Sequence, residues 1–281
     1  MSNAEELKKL VRDKYSEIAN QSKEQNAASC CGATGCSTVY YAIFADNYNE
    51  LEGYNADADL GLGCGLPTEF AQIKKGNTVV DLGSGAGNDC FVARALVGES
   101  GKVIGVDMTE AMIEKARENA DKLGFNNVEF RLGEIEKLPI AANRADVVVS
   151  NCVLNLVPDK QKAFAETYRV LKPGGHFSIS DVVLVGELPE GLVKASEMYA
   201  GCVSGAIQRE DYLQIIREAG FVNITVQKEK AIDVPDEILR DYLSEEEIKA
   251  FRNSNTGIFS ITVYGDKPDE APSCTPGSGC C

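Results

Sequence analysis

The chain has no tryptophan and a single histidine, His176. Because that histidine falls inside the strand-like stretch GGHFSIS, it reads as a structural residue. Zinc sites built jointly on Cys and His, and a Ser-His-Asp triad, are disfavoured with it. The sequence also has no run of roughly 18 or more apolar residues, and its start, MSNAEELKKL, has the pattern of an amphipathic helix rather than a signal peptide. A cytoplasmic location is therefore expected. Basic residues are scarce relative to acidic ones, 28 against 43, for a net charge of −15. An acidic chain repels a phosphate backbone or an anionic lipid surface, so neither nucleic acid nor membrane is an expected partner, and a monomer is expected.

What the chain has in quantity is cysteine, ten among 281 residues. In a reducing compartment these are mostly thiols, and the length argues against a small disulfide scaffold. Several sit in loose surroundings. Cys30, Cys31 and Cys36 occupy the Gly/Cys-rich stretch NAASCCGATGC, and Cys274, Cys280 and Cys281 lie on the Pro/Gly/Ser-rich end SCTPGSGCC. Neither group has the C-x-x-C spacing of a zinc pair.

Between about Lys74 and Asp181, short apolar runs alternate with amphipathic helical stretches, the pattern of βαβ units in a parallel sheet. TVVDLG, KVIGVD, VEFRLG, ADVVVS and HFSISD read as strands. NDCFVARALV, TEAMIEKARENADKLG and DKQKAFAETYRVLK read as helices, with Thr109 as an N-cap and Gly124 as a stop. Further on, QREDYLQIIREAG and DEILRDYLSEEEIKAFRN are helical, and FVNITVQK and GIFSITVYGD are strands that give the sheet an antiparallel last strand. The fold class is therefore α/β, a Rossmann-like, mostly parallel sheet. The expected division is an N-terminal helix and Cys-rich loop over 1–67, a catalytic domain over 68–265 with a helical insert at about 184–220, and a tail over 266–281.

The first strand-to-helix turn is DLGSGAGND. Its Gly83, Gly85 and Gly87 allow a sharp turn and close approach of a ligand, and free N–H groups at the helix start favour polar groups. The spacing is G-x-G-x-G, preceded by Asp81, rather than the G-x-G-x-x-G of dinucleotide folds. Asp107 ends the second strand, where a carboxylate accepts both hydroxyls of a ribose. With GEIEKLP bordering an adenine, the set resembles the Rossmann-like class of S-adenosylmethionine (SAM) methyltransferases. That resemblance implies a cofactor site of Asp81, Gly83, Ser84, Gly85, Gly87, Asn88, Asp107, Met108, Gly133, Glu134, Ile135 and Asn151.

A SAM loop supplies a methyl donor and leaves the acceptor open. Cys64 in LGLGCGLP, Cys152 in SNCVLNLVPDK and Cys202 in MYAGCVSGA approach one cleft from three regions of the chain. Cys90, on the helix after the glycine loop, reads instead as a small packing residue. The three motifs, in this order and with DLGSGAGNDCFV and VIGVDMT, resemble the arsenite methyltransferases over roughly Leu7 to Gly265. The resemblance implies that Cys64, Cys152 and Cys202 are thiolate ligands of trivalent arsenic. It also places a further family cysteine at Cys30 or Cys31.

Soft thiolates suit thiophilic arsenic, and a lone pair facing the SAM methyl needs orientation more than a general base. The substrate would be arsenite or its thiol conjugates. An external reductant such as thioredoxin or glutathione would restore the trivalent state. A loop cysteine and one at a strand end are expected to be accessible for thiol exchange, and the cysteines of the tail read as a mobile arm that passes arsenite to them. An organic acceptor, quinone-like or sterol-like, and a thiol-rich binding protein are the alternative readings.

Overall fold

The computed structural model describes residues 3–21, 47–189, 205–233, 236–240, 242–254 and 256–269. A long helix α1 (Asn3–Ala19) and a short one, α2 (Pro67–Phe70), precede β1 (Thr78–Leu82). There follow α3 (Asn88–Val97), β2 (Lys102–Asp107), α4 (Glu110–Leu123), β3 (Val128–Leu132) and β4 (Ala145–Asn151). Then come α5 (Lys160–Val170), β5 (Leu171–Val185), α6 (Arg209–Glu218), β6 (Val222–Ala231), α7 (Asp236–Leu239), α8 (Glu245–Arg252) and β7 (Gly257–Asp266).

The seven strands form one sheet in the order β3-β2-β1-β4-β5-β7-β6. The first five pair in parallel, while β7 runs antiparallel to both β5 and β6. The antiparallel strand expected last in the sequence is present, but it lies inside the sheet, with β6 at the edge. Both faces of the centre are covered. Val79, Val103, Val147 and Val149 face a layer holding Phe91, Met112 and Ile113, whereas Val80, Ile104 and Val148 face Phe164, Tyr212 and Ile216. Successive strand residues point to opposite faces, which is why these strands read as continuous apolar runs rather than alternating ones.

Local signals account for several boundaries. Gly124 ends α4 in the left-handed conformation, and Asp159 caps α5 by accepting the Lys162 N–H at 3.0 Å. The helical pattern over 236–253 is divided in two, because Ser244 and Glu247 form a capping box that starts α8 afresh. The strand containing His176 begins earlier than the motif HFSISD, at Leu171. His176 itself is structural: its Nε2 lies 2.7 Å from the Ala71 carbonyl oxygen and its ring packs on Tyr264. No helix among the described residues is long and apolar enough to cross a membrane.

The chain runs from β1 outward through β2 to β3, then returns to place β4 on the other side of β1. This reversal opens a crevice at the carboxyl ends of β1, β2 and β4, the place where open α/β sheets hold ligands.

Candidate active site

At that crevice lies a cleft lined from the ends of β1, β2 and β4. Every expected cofactor residue lines it except Gly87, which instead starts α3 with φ +100 and would drive a Cβ to 2.9 Å from the rings of Phe91 and Phe130. Gly83 also needs its glycine, since φ is +70 and a Cβ would meet Val153 at 2.4 Å. The turn is tied to β2: the Gly83 and Ser84 N–H groups donate to Val106 O at 2.7 and 3.0 Å, and Gly85 N donates to Asp107 Oδ2 at 3.0 Å. Asp107 Oδ1 accepts the Thr109 N–H at 2.8 Å, so its carboxylate is oriented before any ligand arrives. Burial raises the Asp107 pKa, and these backbone donors oppose the rise.

The cleft suits a cationic, polar ligand. Its walls carry the carboxylates of Asp59, Asp81, Asp89, Asp107, Glu134 and Glu136, with Lys8 as the basic residue among them. Ser84 Oγ and Asn88 Oδ1 are buried in it without a partner among the described residues, and such atoms are satisfied by a bound polar group. These features fit SAM, with its sulfonium and ammonium charges. Helix α1 closes one side through Val11 and Tyr15. It is clasped by Lys8 Nζ, which lies 2.7 Å from Glu134 and 2.5 Å from Glu136.

Two thiols meet at the cleft wall that Cys152 forms. Sγ of Cys64, Sγ of Cys152 and a carboxylate oxygen of Asp181 all lie within 4.8 Å of one another, and all three residues are buried. The accessibility expected for the two cysteines is corrected by this, since Cys64 is 0% and Cys152 4% exposed. Apolar side chains surround them, among them Leu156, Val182, Leu239, Leu243 and Ile258. Cys152 follows β4 with φ +62, a strained left-handed conformation for a residue with a side chain, and its N–H donates to Ser180 O at 2.8 Å. That turn carries Cys152 out of the sheet and into the cleft wall.

Cys64 is held by its flanks. Asn151 Oδ1 accepts the N–H groups of Cys64 and Gly65 at 2.9 and 3.2 Å, and Asn151 Nδ2 donates to Gly65 O at 2.8 Å. Ser260 Oγ donates to Cys64 O at 2.6 Å. Both neighbouring glycines are obligatory, because a Cβ on Gly63 would meet Asn151 at 2.6 Å and one on Gly65 would meet Ser180 Oγ at 2.5 Å. Asn151 lines the cleft as expected, yet its amide is engaged with the protein on both sides. Its Nδ2 also donates to Tyr48 Oη and, at 3.2 Å, to Asp89 Oδ2, and Tyr48 Oη donates to Asp89 at 2.9 Å. Burial pushes Asp89 up to about 6, against the hydrogen bonds from Asn151 and Tyr48 that favour its ionised form.

Cys90 is a thiol apart. It is buried on α3 and donates to Asp81 Oδ2 at 3.2 Å, so it does more than fill space. Burial and the Asp81 carboxylate raise its pKa well above the usual thiol range, which keeps it protonated. Cys30, Cys31, Cys36 and Cys202 lie outside the described residues, as do Cys274, Cys280 and Cys281 and residues 190–204 of the expected helical insert.

Asp181 was not among the residues singled out from sequence. Its signal is a carboxylate in mid-strand, where HFSISDVVLV is otherwise apolar or small. Asp181 Oδ2 accepts from Tyr212 Oη at 3.2 Å and Oδ1 from the Val182 N–H at 3.0 Å, and burial pushes the group up to about 7. Tyr48, Asp59 and Asp89 were missed too. Tyr48 and Asp59 precede the glycine loop in sequence by dozens of residues, and only the fold brings them to it.

A Rossmann-like sheet with an acidic SAM-type cleft and a thiol pair beside it defines a class I SAM-dependent methyltransferase. Residues 73–220 match the family described as "Methyltransferase domain". Relatives narrow the class. The chain is 42% identical over 281 aligned residues to the arsenite methyltransferase of Halobacterium salinarum, covering 94% of this chain and 67% of that one. It is 33% identical to the human arsenite methyltransferase, covering 90% and 69%. A crystal structure of an arsenic(III) SAM methyltransferase from Chlamydomonas reinhardtii superposes with a TM-score of 0.62 at 37% identity, covering 75% of this chain and 68% of that one. The chain belongs to the arsenite methyltransferases and is an enzyme of the methyl-transferring EC 2.1.1 class.

Proposed function

We propose that the protein transfers the SAM methyl group to trivalent arsenic bound by the thiolates of Cys64, Cys152 and Cys202, in the service of arsenic detoxification. The observation that carries this reading is the meeting of Cys64 and Cys152 within 4.8 Å beside the SAM-type cleft, whose wall Cys152 helps form.

Asp81, Ser84, Asn88 and Asp107 would hold SAM, with Met108, Gly133, Glu134 and Ile135 around its adenine. Bound there, SAM supplies an electrophilic methyl group. The chain supplies the acceptor's position. Each thiol exchanges with one arsenic hydroxyl: an S–As bond forms, an As–O bond breaks, and the thiol proton leaves with the hydroxyl as water. No net proton is released, so burial of the thiols is no obstacle once the substrate has entered. Three sulfurs leave the arsenic lone pair along the open axis, and directing that axis at the methyl is proximity catalysis, which needs no general base. The apolar lining of Leu156, Val182 and Ile258 excludes water from the transfer. Transfer leaves arsenic formally pentavalent, and two electrons from an external thiol reductant such as thioredoxin or glutathione return it to the trivalent state. On this reading residues 1–67 close the site, 68–265 carry it and 266–281 form an accessory arm.

Mass spectrometry of arsenic species tests the reading. With SAM, arsenite and a thiol reductant, the wild type forms methylated arsenicals, and Ser at position 64, 152 or 202 abolishes their formation from arsenite. An organic acceptor would leave the Cys152→Ser enzyme active.

A further inference from the structure

The arsenic site contains an oxygen ligand or acceptor where three sulfurs would suffice. Asp181 reaches the two thiols from β5, in a buried box whose walls are apolar apart from the Tyr212 hydroxyl and the charge of Lys160 nearby. Its carboxyl is anchored rather than loose: Val182 N–H donates to Oδ1 and Tyr212 Oη to Oδ2, at 3.0 and 3.2 Å. Each oxygen has a second lone pair, so acceptor capacity remains toward the sulfurs, whichever protonation state the group adopts. A buried carboxyl aimed at a thiol pair is costly, and a substrate group that donates to it would repay the desolvation.

Arsenite has three exchangeable hydroxyls. When Cys64 and Cys152 have each displaced one as water, the arsenic retains a third As–OH inside the apolar box, and a hydroxyl there needs an acceptor. Methylarsenite has only two hydroxyls. After the same two exchanges its third substituent is a methyl group, which offers Asp181 no donor and shields it from other partners. Resting on the thiol-site reading proposed above, we infer that Asp181 is the specificity-determining residue of arsenic capture. It accepts a hydrogen bond from the remaining As–OH of the Cys64, Cys152 complex and thereby favours arsenite over methylarsenite. The third thiol then displaces that hydroxyl as water, with no change in oxidation state.

The two-thiolate complex is isolated in the full-length Cys202→Ser protein, titrated with arsenite and with methylarsenite by equilibrium dialysis and arsenic quantification. Arsenite is expected to bind more tightly than methylarsenite. Asp181→Ala in the same background should weaken arsenite about tenfold and leave methylarsenite unchanged or tighter. Asp181→Asn keeps the shape and replaces one acceptor oxygen by an amide donor, so it should lower the arsenite preference about threefold, and it decides the matter if the Ala variant does not fold. Equal weakening of both arsenicals, or a preference that Asp181→Asn leaves unmoved, overturns the inference. If the Cys202→Ser protein with Asp181 intact binds neither arsenical, the thiol-site reading falls and this inference with it. A wild type that methylates arsenite with an unmoved preference in the Asp181 variants sinks this inference alone.

Discussion

Asn151 Oδ1 accepts the backbone N–H of Cys64 at 2.9 Å, so the side chain immediately before Cys152 holds the loop that carries the other thiol. The spacing of the two sulfurs is thereby set by one amide. Removing it in Asn151→Ala leaves the Cys64 and Gly65 N–H groups without their acceptor and costs about 2 kcal/mol or more of stability. Arsenite affinity should fall about tenfold while SAM affinity changes far less, because the amide faces protein groups on both sides. Parallel titrations of the two ligands check this. An equal loss for both would mean that Asn151 serves the cofactor instead.

Strain at Cys152 gives an unusual order of stabilities. At φ +62 a side chain costs about 1–2 kcal/mol that glycine avoids. Cys152→Gly is therefore expected to unfold at a higher urea concentration than Cys152→Ala, although glycine normally weakens a chain relative to alanine. Both lose arsenic binding.

Asp89 makes stability depend on pH in a defined direction. Its folded pKa of about 6 lies above the ordinary value, so its contribution is fully present at low pH and is lost as pH rises through about 6. Measured against Asp89→Asn, the wild type should lose up to about 3 kcal/mol between about pH 4 and 6 and show no further change above that. Urea unfolding across this range reads the difference. A wild type that gains stability relative to Asp89→Asn as pH rises would contradict the raised pKa of Asp89.

The clasp on α1 is electrostatic. Lys8→Ala removes the contacts to Glu134 and Glu136 and should cost about 1 kcal/mol, since the lysine side chain is only 12% exposed. Because Val11 and Tyr15 of the same helix line the cleft, SAM should bind several-fold more weakly, most visibly as faster release in stopped-flow displacement. Raising the salt concentration should produce a smaller shift in the same direction.

The parallel half of the sheet was legible because βαβ periodicity is local: each apolar run and each helix stop lies within a few residues of its cause. The glycine loop and Asp107 were legible for the same reason, and of the cofactor residues expected with them all but Gly87 line the cleft. Other parts of the site are made by long-range geometry. The pairing of Asn151 with Cys64 joins residues 87 apart in sequence, and Ser260 reaches Cys64 across 196. No window of sequence contains either pair. Asp181 was within reach as a lone carboxylate in an apolar strand, but its partners Cys64 and Tyr212 come from other regions of the chain. The left-handed turn at Cys152 had no sequence signal, since cysteine is not a residue that prefers it.

β7 is the last strand in sequence yet lies between β5 and β6, and it supplies the hydroxyl of Ser260 that fixes the Cys64 loop. Until Gly257–Asp266 is in place, β5 and β6 have no strand between them and the Cys64 carbonyl lacks the Ser260 hydroxyl. The last strand to be made thus completes the setting of a cysteine that lies 196 residues before Ser260.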